Sequence, residues 1–381
     1  MTQSETQIRF SDGAWKLDLE LRGTIAFTGD LTDVESMSDG GYFKVREWRG
    51  LIPHTVEMQN VNGTITRKYS VGGAARPWDD EARRWLAQKL PEIVRRTGIG
   101  ADARVKSILD KQGVSGVLDE IGRLGGDYAR RLYFVALLDR AKLDASSIQP
   151  ILAKAGETIT SDYERRQVLK RITERVALDP RGADLYVSSV ASMHSDYERR
   201  VALGALMATA GSAVQARTLL PALQAIESPY ERRVVLLDVL KHASPTPDMK
   251  SAILTATATI SSDYDRRQVL MAYVDAFGVD AAVREPFFAA VKQMQSDYER
   301  RQVLTALARK PGLSREVQEA AFDATSTMRS DYDRAEALLA FIHAGAVDGS
   351  SRQALVNAAQ RFKSSYDQNR VLAALVKAES R

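Results

Sequence analysis

Eight times along this chain a block built on Ser-Asp-Tyr-Glu-Arg-Arg returns at a nearly fixed interval, and few folds accommodate that. The blocks beginning at Asp127, Ser161, Ser195, Ser228, Ser262, Ser296, Ser330 and Ser364 read DYARR, SDYERR, SDYERR, SPYERR, SDYDRR, SDYERR, SDYDRA and SSYDQN. Their tyrosines, Tyr128, Tyr163, Tyr197, Tyr230, Tyr264, Tyr298, Tyr332 and Tyr366, are spaced by 35, 34, 33 and then four times by 34 residues. A repeat of this length is one supersecondary unit that cannot bury its apolar face alone, so neighbouring copies must stack.

Each block carries the signature of a helix start. Ser161 and Glu164 have the spacing of a capping box, in which the serine oxygen and the carboxylate each satisfy a free backbone N–H. Ser195/Glu198, Ser228/Glu231 and Ser296/Glu299 repeat the pair, with aspartate in place of glutamate at Asp265, Asp333 and Asp367. Pro229 falls on the first helical position, where a missing N–H costs nothing. Four residues before each tyrosine stands an apolar residue (Leu124, Ile159, Met193, Ile226, Ile260, Met294, Met328, Phe362) that ends a preceding helix, as over Arg284 to Met294. The unit is therefore an αα-hairpin with a very short turn. Eight such units predict an α-solenoid over residues 114–381, a HEAT-like or TPR-like right-handed superhelix extending about 70–80 Å at roughly 10 Å per repeat. The segment from about residue 348 reads as its closing cap.

The front of the chain has another period. Trp15, Leu17, Leu19 and Leu21 alternate with Lys16, Asp18 and Glu20, the pattern of a strand with one buried face. Further strand-like runs cover Thr24 to Thr28, Tyr42 to Trp48, Thr55 to Asn60 and Thr64 to Val71, with turn chemistry at Asp12-Gly13, Asp39-Gly40-Gly41 and Asn62-Gly63. A small antiparallel β-domain over residues 1–71 is expected, then a flexible linker at 72–77, GGAARP, and connecting or capping helices over 78–113 with a break near Pro91. The fold class is α+β, multidomain.

A wheel drawn on the second helix separates its faces. The first arginine of each block, Arg130, Arg165, Arg199, Arg232, Arg266, Arg300 and Arg334, falls inside the apolar arc. A buried charge needs partners, so these arginines are assigned to the joint between repeats, bonding carboxylates or helix-end carbonyls of the adjacent repeat. The tyrosines and second arginines lie on the exposed side and form a candidate binding stripe: Tyr163 and Arg166, Tyr197 and Arg200, Tyr230 and Arg233, Tyr264 and Arg267, Tyr298 and Arg301. Arginine forks match carboxylates and phosphates, and tyrosine stacks. The second arginine becomes Ala335 and then Asn369 in the last two blocks, and the first becomes Gln368.

Signals of chemistry are few. Among 381 residues there is no cysteine, which removes disulfides, thiolate catalysis and cysteine metal sites, and suits a cytosol or a cysteine-poor periplasm alike. The histidines His54, His194, His242 and His343 are scattered, without the spacing of a zinc helix. No phosphate-binding glycine loop and no nucleophile elbow occurs, and the carboxylates recur as caps. No catalytic residue, cofactor or metal is assigned. The net charge of +4, from 53 basic and 49 acidic residues, is a slight excess and points only weakly to nucleic acid. No segment reaches the roughly 18 apolar residues that span a bilayer, so no membrane insertion is expected. The chain reads as cytoplasmic as it stands, extracytoplasmic if a leader or anchor has been removed.

The repeated SDYERRQVL block resembles bacterial HEAT-like repeat proteins; the W-x₂-L-G-x₂-Y pattern of tetratricopeptide repeats is missing. The front segment SDGAWKLDLELRGTIAFTGDLTDVESMSDGGYF resembles β-rich segments that precede such repeats in some bacterial envelope proteins, including portions attached to membrane-bound sensor metallopeptidases of the penicillin-sensor type. That resemblance implies a sensing or regulatory appendage. The expected function is a non-catalytic scaffold or sensor module binding a protein or peptide, with nucleic-acid or polyanion binding by the arginine stripe as the alternative. A small active site between the β-domain and the helices is a third option, which would require a pocket with convergent polar groups.

Overall fold

The computed structural model describes residues 5–12 and 15–379. An antiparallel sheet precedes a run of helices, and the chain divides into two compact units, Met1–Val176 and Ala177–Arg381.

The first unit holds strands β1 (Glu5–Asp12), β2 (Trp15–Arg22), β3 (Ile25–Phe27), β4 (Val34–Met37), β5 (Tyr42–Arg49), β6 (Pro53–Val61), β7 (Thr64–Val71) and β8 (Ala74–Arg76). Helices α1 (Asp80–Thr97), α2 (Ala101–Gly122), α3 (Asp127–Arg140), α4 (Ile148–Thr158) and α5 (Asp162–Arg175) follow. Six strands form one antiparallel sheet in the order β1-β2-β5-β6-β7-β8, and β3 pairs with β4 apart from it. The alternation decides the faces: Leu17 and Leu19 of β2, Phe43 and Val45 of β5, and Val56 and Met58 of β6 are fully buried. The register pairs Leu19 with Val45 and Val45 with Val56, so they form a continuous inner row. The side chain of Trp15 and the turn residue Gly13 lie outside the described residues. Asn62 and Gly63, at φ 51° and 82°, make the expected two-residue hairpin between β6 and β7.

Three expectations for this region are corrected. Residues 72–77 are not a linker: Gly72 and Gly73 turn the chain, and Ala74–Arg76 pair back onto β7 as an edge strand. Gly-Gly supplies positive φ to a hairpin as readily as it supplies freedom to a linker. Strand β4 carries no alternation, which hid it from the sequence, and exists by pairing with β3. Helix α1 is more than a connector. Its Ala82, Leu86, Leu90, Ile93 and Val94 are part of one apolar cluster with Leu17, Phe43, Val56 and Tyr69, so the helix roofs the sheet. That burial also explains why Pro91 does not break it. An interior proline costs about 3 kcal/mol, and several core side chains at roughly 1.5–3 kcal/mol each offset it.

Helix α1 ends at Gly98, φ 72°, where a Cβ would stand 3.0 Å from Ala129 Cα. Helix α2 bends at Gly113, where φ is 68° and ψ −165°.

The second unit holds α6 (Pro180–Ala191), α7 (Asp196–Ala210), α8 (Ala216–Gln224), α9 (Pro229–His242), α10 (Pro247–Ala258), α11 (Asp263–Phe277), α12 (Arg284–Lys292), α13 (Asp297–Ala308), α14 (Arg315–Ser326), α15 (Asp331–His343), α16 (Arg352–Ala359) and α17 (Ser365–Glu379). Each even-numbered helix packs on the next even one and each odd helix on the next odd one, giving two layers. Val235, Leu236 and Val239 of α9, and the matching Val269, Leu270 and Tyr273 of α11, fill the space between layers.

Candidate functional site

The repeated block sits at the start of every second helix, and each of its polar residues has a distinct mechanical role. Ser195, Ser228, Ser262, Ser296 and Ser330 are N-caps in extended conformation. Their hydroxyls accept the N–H three residues on, at 3.1–3.4 Å. That is half of the expected capping box. The other half is rerouted at Ser228, Ser296 and Ser330, whose backbone N–H is taken by the aspartate of the preceding repeat; before Ser262 that position is Pro229.

In the second unit Asp196 Oδ2 accepts from the N–H of Glu227 and Ser228 at 2.9 and 2.8 Å. Asp263 does so for Gln295 and Ser296, Asp297 for Arg329 and Ser330, and Asp331 for Lys363 and Ser364, all at 2.6–2.7 Å. Within the first unit Asp127 holds Thr160 and Ser161 in the same way, at 2.9 and 2.6 Å. Burial works against the Asp127 carboxylate, but the hydrogen bonds from Ser161, Thr160 and Arg130 prevail and hold its pKa below the ordinary value. Sequence reasoning assigned this aspartate no role. The available signal was its recurrence beside tyrosine, broken by Pro229 and Ser365.

The first arginines are buried or half-buried, as the wheel placed them. For six of the seven the partner is closer than expected: the carbonyl of the apolar residue that ends the preceding helix of their own hairpin. Arg130 reaches Leu124 O at 2.6 Å, Arg165 Nε reaches Ile159 O at 2.9 Å and Arg232 Nε reaches Ile226 O at 2.7 Å. Arg199, Arg266 and Arg300 donate to Met193 O, Ile260 O and Met294 O. Four also reach the following repeat: Arg199 to Ala225 O, Arg232 to Thr259 Oγ1, Arg300 to Thr327 Oγ1, each at 2.7 Å, and Arg334 to Arg361 O at 3.0 Å. Helix-end carbonyls, left without intrahelical donors, are thus bound by a fork that serves a turn and a neighbour together. Burial pushes Arg165, Arg232, Arg266 and Arg300 below the ordinary arginine value.

The candidate stripe divides. Each second arginine lies over the tyrosine three residues before it, at 4.9–5.1 Å for Arg166, Arg200, Arg233, Arg267 and Arg301, and Arg301 is also 5.5 Å from Tyr332. The same guanidinium pairs with the acid in the first turn of the next second helix: Arg200 with Glu231, Arg267 with Glu299, Arg233 with Asp265 at 2.7 Å and Arg301 with Asp333 at 3.2 Å. In the first unit Arg131 pairs with Glu164. Where Ala335 and Asn369 lack the second arginine, Arg370 takes its place, bonding Asp367 at 3.1 Å and Glu336 at 2.6 Å. The guanidinium groups are consumed. The tyrosines are not: Tyr197, Tyr230, Tyr264, Tyr298 and Tyr332 are each 52–55% exposed, at equivalent stations of one helix layer.

Two cavities lie elsewhere. One of ≈ 520 Å³ inside the first unit is walled by Leu21, Ile25, Phe27, Leu132 and Val135, with Asp102 and Asp139 on its rim. Those carboxylates are engaged by Arg140 and Arg171, Nε to oxygen at 2.8 Å in both cases. The wall is mainly apolar, with Thr24, Thr97 and Tyr128 as further polar members. A groove of ≈ 680 Å³ in the second unit is lined by Ser212, Gln215, Arg217, Ser244 and Thr246, and Arg217 is held 3.3 Å from Asp184. His54 stacks on Trp85 with ring centroids 5.5 Å apart and meets the Tyr69 hydroxyl at 2.7 Å, fastening α1 to the sheet. Among the described residues no group of His, Asp and Glu is placed to hold a metal, and no helix is long and apolar enough to cross a membrane.

Compared with family models, curated proteins and solved structures, the chain matches none. The reading of the tyrosine face therefore rests on its own geometry.

Proposed function

We propose that this chain is a non-catalytic binding scaffold, its helical part a HEAT-like α-solenoid that presents the tyrosine-bearing face of its second helices to a protein or peptide. One observation carries the reading: five tyrosines stay half-exposed on one helix layer while every charged residue of the same motif is spent on the joints. A joint alone needs the aspartate, the arginines and the acid; it does not need an aromatic ring facing solvent. Aromatic side chains offer large contact area at little entropy cost and concentrate in interfaces. The resemblance of the SDYERRQVL block to bacterial HEAT-like repeats, and of the front segment to sensor appendages, agrees with a regulatory binding role.

The alternative, a polyanion gripped by the arginine stripe, is the weaker reading, because guanidinium groups already paired with carboxylates would have to exchange partners. Selection of a random peptide library on the intact protein tests the leading reading. Enriched peptides are expected to lose binding to the Tyr264→Ala/Tyr298→Ala variant and to keep it for Glu285→Ala, on the other helix layer. Enrichment indifferent to the tyrosines overturns it, and duplex binding with a steep log–log salt dependence would install the alternative.

A further inference from the structure

We infer that the tyrosine row of the second unit is a track for an extended proline-rich peptide in the polyproline II conformation. This rests on the binding role proposed above and names its partner class by chemistry.

Spacing comes first. The axes of packed helices are about 8–10 Å apart, α7, α9, α11, α13 and α15 pack each on the next, and Arg301 lies between successive rings, 5.1 Å from Tyr298 and 5.5 Å from Tyr332. A polyproline II helix rises about 3.1 Å per residue with three residues per turn, so the same ridge recurs every ~9.3 Å. One ridge residue per turn meets one tyrosine per repeat. An extended β-strand peptide, at about 3.3 Å per residue with sides alternating, brings the same side round every ~6.6 Å and falls out of step.

Surface chemistry comes second. Each ring in this row is backed by a guanidinium at 4.9–5.1 Å for Tyr197, Tyr230, Tyr264 and Tyr298, which fixes it while leaving it half-exposed. The guanidinium charge is balanced by Glu231, Asp265, Glu299 or Asp333, so the track is aromatic and close to neutral. Proline rings pack on aromatic faces, and the preformed helix loses little entropy on binding. Its carbonyls have no internal donors, and exposed tyrosine hydroxyls supply them. Half-buried Val201, Val234, Leu237 and Met271 on the same helices add apolar floor.

The test is fluorescence anisotropy on the full chain with labelled oligoprolines of two to five turns, roughly 6–15 residues, against Gly-Ser peptides of equal length. Affinity is expected to rise with each added turn and to change little between about 0.05 and 0.5 M salt. Tyr264→Ala/Tyr298→Ala should weaken the longest peptide at least tenfold with circular dichroism unchanged, and the double Phe variant should fall between. No oligoproline binding, equal binding of Gly-Ser peptides, or indifference to the tyrosine changes each overturns the inference. Should library selection yield tyrosine-dependent peptides without proline, the scaffold reading survives and the polyproline track does not.

Discussion

Asp263, in the first turn of one helix, accepts the backbone N–H of Ser296 a full repeat away at 2.7 Å. In a capping box that N–H would be satisfied from within its own helix; here it depends on the neighbour. Wherever the block carries aspartate, as at Asp196, Asp263, Asp297 and Asp331, the cap of the next repeat is completed by it, which makes the motif an interface term between repeats, the quantity that sets cooperativity in a stacked array.

Replacing Asp263 with alanine leaves the N–H groups of Gln295 and Ser296 without their acceptor. The expected loss is about 1–3 kcal/mol in urea unfolding. Hydrogen exchange should accelerate at those two amides and stay unchanged at Arg329 and Ser330, which Asp297 holds. Uniform acceleration across both turns would contradict a local joint.

Pro229 occupies the aspartate position in its block and has no carboxylate to offer the next turn. The amides of Ser261 and Ser262 should therefore exchange faster than those of Gln295 and Ser296. Pro229→Asp is expected to slow them. Equal protection in the unaltered chain would show that the aspartate link contributes little.

Arg300→Leu removes the donor to Met294 O, Lys292 O and Thr327 Oγ1 inside a buried site. About 1–3 kcal/mol per orphaned group is expected, and lysine should restore little, because a point charge cannot fork. Gln368→Leu, at the equivalent position of the last block, should cost less, since it removes a side-chain bond of 3.3 Å to Ala359 O. Denaturant midpoints that rank the two variants the other way would be incompatible with this role.

Asp127 has its folded pKa depressed by the hydrogen bonds of Thr160, Ser161 and Arg130, against the opposing effect of burial. A depressed carboxylate contributes stability that is complete above its unfolded value, about 3.9, and is lost as pH falls through the lower folded value. Asp127→Asn should therefore unfold more readily than the unaltered chain near neutral pH, with the difference narrowing below about pH 4. A constant difference down through that window would mean the charge plays no part.

Much of the helical half was legible because its determinants are local. Ser at the cap, Glu or Asp three residues on, Pro229 at the first position and the apolar residue before each turn act within a few residues of themselves, so they can be read along the chain. The burial of the first arginine followed from the same helical period. Even β2, β5, β6 and β7 announced themselves by alternation.

What the sequence alone determined, then, is the two-helix repeat, its boundaries and its faces, since a helix start is governed by groups one turn apart. Tertiary structure decided where each polar group spends its bonds: Asp263 on Ser296, Arg233 on Asp265, Arg300 on both its own turn and Thr327. It also decided that α1 roofs the sheet and that Ala74–Arg76 extend it. Hydrogen bonds and ion pairs act over about 3 Å, and no spacing along the chain tells which residue 30 positions away comes within that reach. For that reason the arginine stripe, a binding surface on the wheel, is half of a joint in the folded protein, while the tyrosines of the same blocks remain half-exposed.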